Sequence, residues 1–212
     1  MRPRRDRSLH DRVVWQSASL LLAYPDDGHG ARLQTVAELI GRITGEPARL
    51  LQETLSALRQ VDAMALATRY VDTFDLRKQT TMLLTYWTGG DTRNRGAQMV
   101  AFTQAYRAAG VAPPRSEAPD HLPVVLEFAA AVDPVAGRRL LEAHRVPISV
   151  LRQALSDADS PYASAVAAVC ATLPRVDEAQ VRTLLGAGPP RKSVGLEPFQ
   201  LTVPPRRAQG GV

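Results

Sequence analysis

Cysteine, lysine and aromatic residues are all scarce in this 212-residue chain. The single cysteine, Cys170, excludes an internal disulfide. Of the four histidines, His10, His29, His121 and His144, none is paired with another at i+3 or i+4, so the helical two-histidine zinc spacing is missing. No apolar run reaches the 18 or more residues of a membrane helix. The basic opening, MRPRRDRSLHD, has no apolar region behind it, which excludes a secretory signal. Phosphate-binding glycine loops followed by Lys-Ser/Thr are absent, as are dinucleotide-binding glycine fingerprints after a strand and nucleophile elbows of the G-x-S-x-G kind. These absences point to a soluble, reduced, cytoplasmic protein with no evident active site, metal or cofactor.

Charge is plentiful but unevenly placed. The formal net charge is +5, with 24 of the 26 basic residues arginine. Residues 1–12 and residues 187–212 each carry a net +3, which leaves residues 13–186 at −1. A nucleic-acid-binding regulator working through basic tails is the alternative this pattern raises. The near-neutral body, with no helix-turn-helix bearing a basic second helix, argues against it. A small-molecule enzyme or cofactor module in a helical bundle is a weaker third reading.

Apolar spacing is helical nearly throughout. Leu9, Val13, Ser17, Leu20 and Tyr24 form one stripe, with Ser8 as its N-cap and Pro25 as its stop. Leu33, Val36, Leu39 and Ile40 form a second, and Leu50, Leu51, Leu55 and Leu58 a third. Leu66, Tyr70 and Phe74 lie on a fourth helix; residues 77–88 read as a fifth, stopped by Gly89-Gly90. Asp91-Thr92 cap a sixth, running to about Gly110 through Met99, Phe102 and Tyr106. A proline-rich connector, 111–120, precedes helical runs at 121–132, 134–144, 147–157, 161–173 and 176–185. Pro134, Pro147 and Pro161 suit first-turn positions. No segment alternates with period two between hairpin turns. The expectation is an all-α, single-domain bundle of about ten helices spanning residues 10–186. A basic tail (1–9) precedes it, and a Pro/Gly-rich tail (187–212), expected to be disordered, follows.

Two stretches stand out. Residues 70–96 concentrate aromatics, threonines and charges; residues 117–128, EAPDHLPVVLEF, place acids, a histidine and two prolines at the connector's end. Locally, Asp120 reads as a helix N-cap, with Pro119 before it and His121 and Leu122 opening the helix.

The pattern Tyr70-x-x-x-Phe74-Asp75, Leu84-Thr85-Tyr86, Gly90-Asp91-Thr92-Arg93-x-Arg95-Gly96 and Glu117-x-Pro119-Asp120-His121-Leu122-Pro123 resembles the NarJ nitrate reductase assembly chaperones. These belong to the wider TorD-like group, and the resemblance covers roughly residues 10–185. It implies an all-helical, non-enzymatic cytoplasmic protein with no cofactor of its own. Such a protein binds the N-terminal segment of the catalytic subunit of respiratory nitrate reductase. It holds that subunit until its molybdenum cofactor is inserted, with cofactor-delivery proteins as further partners, and is not part of the final enzyme. The Glu117–His121 motif matches the family's hinge, associated in relatives with signal-peptide recognition. An incoming amphipathic segment would need an apolar groove. Tyr70, Phe74, Tyr86, Trp87 and Leu122 are expected to supply it, and Asp72, Asp75, Glu117, Asp120 and Glu127 to meet basic residues. His121, beside Asp120 and Glu117, is expected to take up a proton near neutral pH and weaken a basic peptide.

Overall fold

The computed structural model describes residues 3–90 and 93–190. Among them the chain forms eleven α-helices and no sheet, the only β feature being an antiparallel bridge between Leu83 and His121. The helices are α1 (Pro3–Leu21), α2 (His29–Ile40), α3 (Glu46–Arg59), α4 (Ala63–Tyr70), α5 (Tyr86–Gly89) and α6 (Arg93–Ala108), then α7 (Leu122–Glu127), α8 (Pro134–Ala143), α9 (Arg145–Asp157), α10 (Ala163–Thr172) and α11 (Glu178–Ala187). Single π-helical turns, Val71–Asp75 and Phe128–Val132, extend α4 and α7. The expected cap at Asp91-Thr92 and most of the C-terminal tail lie outside the described residues.

Local chemistry sets several helix starts. Asp62, Asp133 and Asp177 cap α4, α8 and α11, each carboxylate accepting backbone N–H bonds of 2.9–3.1 Å from the first turn. Pro134 sits at the first position of α8, where a missing N–H costs nothing. Ser8 is not a cap, because α1 begins at Pro3 and runs through the stretch expected to be a tail.

Six helices precede the connector and five follow it, yet helices from both sides share the main core. α10 packs on α3, α9 and α1, while α1 also packs on α2, α3 and α7. A helix enclosed this way buries more than one stripe. Val14, Trp15, Ala18, Leu21 and Leu22 of the α1 region are all at most 1% exposed, whereas Leu9 and Tyr24, on the expected stripe, are 60% and 48% exposed. Trp15 donates its indole N–H to Thr172 Oγ1 at 2.8 Å, and Arg138 stacks 4.8 Å over its ring while pairing with Asp11.

The expected fifth helix is replaced by another conformation. Residues 78–80 form one 3-10 turn, and the chain then runs extended to Leu83 before turning at Leu84 and Thr85 into α5. There Leu84 donates its N–H to Asp120 O (3.1 Å), and Leu122 donates to Met82 O (2.9 Å). The apolar run Met82–Leu84 thus serves as a strand-like strut along the connector's end. Gly89 does end the short α5 that follows, with Gly90 at φ +54°.

Candidate functional site

The π-turn after α4 lets consecutive residues face opposite ways: Phe74 turns inward at 6% exposure, while Asp75 is exposed. Phe74 joins Tyr24, Tyr70 and Tyr162 in an aromatic cluster, with ring centroids 4.8 Å (Tyr70–Phe74), 5.0 Å (Phe74–Tyr162) and 5.3 Å (Tyr24–Tyr70) apart. Tyr70 donates its hydroxyl to Leu22 O at 3.1 Å. Burial raises the phenol of Tyr70 and pushes that of Tyr162 up to about 12, so both stay neutral.

Tyr24, Tyr70 and Phe74 of this cluster, with Tyr162 buried behind them, floor a cleft of about 460 Å³, within the usual range of small-ligand pockets. Met82 and Leu83 of the strut form one wall, and Asp75, Glu117 and His121 border it. Five of the eleven expected residues therefore meet here: Tyr70, Phe74, Asp75, Glu117 and His121. The pocket combines an aromatic floor with a polar border that carries two exposed carboxylates, an arrangement suited to an apolar side chain flanked by positive charge.

The other six lie elsewhere. Tyr86 and Trp87, in edge contact at 6.3 Å, pack with Val150 and Val181 in a small separate core beside a second groove of about 970 Å³. Asp72 and Glu127 are exposed and lie outside both clefts. Leu122 is wholly buried in the main core.

Asp120 is also wholly buried, and it is not a helix cap, since α7 starts after His121 without a side-chain cap. Its carboxylate accepts from the Thr85 N–H (3.1 Å) and hydroxyl (2.6 Å), and pairs with Arg95 Nη2 at 3.4 Å. Arg95 Nε in turn donates to Thr85 Oγ1 at 3.2 Å. Tyr106 donates to Pro119 O at 2.6 Å, and Ser19 donates to Pro123 O at 2.8 Å. Three helices, α1, α6 and α7, and the strut are thus clasped at the Pro119–Pro123 stretch.

His121 Nδ1 lies 3.3 Å from Glu117 Oε2. Burial nevertheless lowers its pKa from the ordinary 6.5, outweighing the neighbouring Glu117, Asp120 and Asp75 carboxylates. The expected proton uptake near neutral pH is therefore corrected: the ring is neutral there. Cys170, partly buried against the core, has a thiol pushed up to about 11 by burial. Among the described residues no group of three or more His, Cys, Asp or Glu side chains is placed to hold a metal ion, and no helix is long and apolar enough to cross a membrane.

A sequence profile described as the nitrate reductase delta subunit matches residues 42–168. The chain is 33% identical over 168 residues to the probable nitrate reductase molybdenum cofactor assembly chaperone NarJ of Bacillus subtilis, covering 77% of this chain and 90% of that protein. The chain belongs to the NarJ family. Escherichia coli K12 NarJ is 30% identical over 148 residues, covering 68% of this chain and 63% of that one. The nitrate reductase-like protein NarX of Mycobacterium tuberculosis H37Rv is 61% identical over 160 residues, which cover 76% of this chain but only 24% of NarX.

The family match includes the π-turn, the strut, the Asp120 clasp and the motif around Glu117, but stops short of Tyr24. Tyr24, Thr81, Met82 and Leu83 are the cleft residues that sequence reasoning did not assign to a site. For Tyr24 a signal existed, an aromatic held at a helix exit by Pro25; for Met82 and Leu83 the helical reading concealed it.

Proposed function

We propose that this protein is a cytoplasmic, non-catalytic assembly chaperone for a respiratory nitrate reductase. It binds the N-terminal segment of the catalytic subunit, keeps that subunit open to molybdenum cofactor insertion, and then leaves. Cofactor-delivery proteins would meet the complex rather than the free chaperone. Membership of the NarJ family supports the assembly role. The observation that carries the binding role is the aromatic cleft bordered by Asp75 and Glu117, which suits a segment with an apolar anchor and basic neighbours.

The magnitudes are consistent with a transient hold. A micromolar dissociation constant corresponds to roughly −8 kcal/mol. One or two buried anchors with rim ion pairs supply free energies of that order. Calorimetry with a peptide of the catalytic subunit's N-terminal segment tests the reading. Asp75→Lys and Glu117→Lys, both at exposed positions, should each weaken binding about tenfold, while an unrelated basic peptide should not bind. Equal affinity for the unrelated peptide, or no effect of either substitution, would overturn it.

A further inference from the structure

α11 ends at Gly188, which turns the chain outward with φ +66°, and Pro190 then lies against Gly90, where any side chain would collide with the Pro190 carbonyl. The chain's C-terminal stretch is thereby rooted on α5. It enters beside the groove that holds Arg77, Lys78 and Thr80; Thr81, the next residue, already lines the aromatic cleft.

The stretch beyond Pro190 has the composition of a cleft ligand. Residues 194–203 read VGLEPFQLTV, with apolar residues at 194, 196, 199, 201 and 203. Arg191-Lys192 and Arg206-Arg207 bracket them, and Glu197 is the only acid. Pro198, Pro204 and Pro205 disfavour a helix and favour an extended chain. Phe199 is the only aromatic residue of the sequence beyond Pro190. Eight residues separate Pro190 from Phe199, nine steps along the chain with an extended reach of about 30 Å. That exceeds the radius of gyration of a domain of this size, roughly 16 Å. Electrostatics selects between the two openings: the nearer groove sets Arg77 and Lys78 against the single carboxylate of Asp157 and is net positive, whereas Asp75 and Glu117 attract the basic flanks to the cleft.

We propose that residues 194–203 of this same chain dock in the Tyr70–Phe74 cleft, with Phe199 as anchor, and compete there with the client segment. The inference rests on the reading of that cleft as the client site. The tail acts as a tethered competitor whose high local concentration sets the affinity a client must exceed.

The test uses the full chain labelled with 13C at its methionine methyls. Met82 lies in the cleft and Met99, on α6, serves as control. Phe199→Asp should move the Met82 signal and leave Met99 in place, Phe199→Trp should keep the wild-type position, and a synthetic peptide of residues 194–207 added to the Phe199→Asp chain should restore it. The client peptide should bind the Phe199→Asp chain about tenfold more tightly than the wild type. An unmoved Met82 signal overturns the inference and, if the client still binds, leaves the proposed function standing. A moved signal with unchanged client affinity overturns the competition. A moved, peptide-restored signal with no client binding to either chain supports the docking and removes the client reading instead.

Discussion

The carboxylate of Asp120 receives both the backbone N–H and the hydroxyl of Thr85, 35 residues earlier in the chain, and is closed off from water by that embrace. The acid most prominent in the motif is thus spent inside the molecule, holding the strut to the connector, while Glu117 stays exposed. Removing one member of a buried pair strands the other. Asp120→Ala should therefore cost about 3–5 kcal/mol in urea denaturation. Thr85→Val, which deletes one charge-assisted bond, should cost about 1.5–3 kcal/mol. A loss near zero in Asp120→Ala would show that the clasp contributes nothing to stability.

Phe74 combines a core and a cleft position in a way the exposed acids do not, and Leu122 lies in the core alone. Phe74→Ala should destabilise the protein by about 3–5 kcal/mol and Leu122→Ala by about 2–5 kcal/mol, so any loss of binding in either includes damage to the fold. Asp75→Lys should change stability by no more than about 0.5 kcal/mol. Paired thermal melts and calorimetry on the three variants separate the two effects.

Acid should weaken the fold through its histidines. Burial holds His29, His121 and His144 below the ordinary 6.5. The unfolded chain therefore binds more protons than the folded one as pH drops beneath that value. Stability is full above about pH 6.5 and declines progressively below it. Urea midpoints measured from pH 7.5 to 5 should fall on the acid side, and His121→Gln together with His144→Gln should flatten that decline.

Two helical glycines should respond to alanine with opposite signs. At Gly137 of α8 a methyl group would collide with the backbone of Ala129 in the π-turn, whereas at Gly96 of α6 nothing lies within 4 Å. Gly137→Ala should lose about 1–3 kcal/mol or more through overpacking. Gly96→Ala should gain about 0.5–1 kcal/mol from helix propensity. Melting temperatures of the two variants check both.

Helices with one buried face were legible in the sequence. Leu33, Val36 and Ile40, and Leu51, Leu55 and Leu58, are buried at the positions their spacing marks. α1 was located, but its phase was not, because neighbours on several sides bury residues off any single stripe, Trp15 among them. The strut was misread because its hydrogen-bond partners, Asp120 and Leu122, are remote in sequence and periodicity carries only local information. The β-branched residues around it, Thr80, Thr81, Thr85 and Thr88, were the available sign against a helix. Half of the candidate site followed from residue type. The inward position of Asp120 did not, because a capping acid and a buried acid look alike until the partner donor is known.

The lone sulfur atom of Cys170 has a practical consequence. With its thiol pushed up to about 11, only on the order of one molecule in ten thousand carries a thiolate at neutral pH. Thiol-directed reagents thus find almost no thiolate on the native protein. A cysteine introduced on any outer helix face would be the one reactive handle, so dyes, spin probes or crosslinkers can be attached at a chosen point without first removing the natural residue.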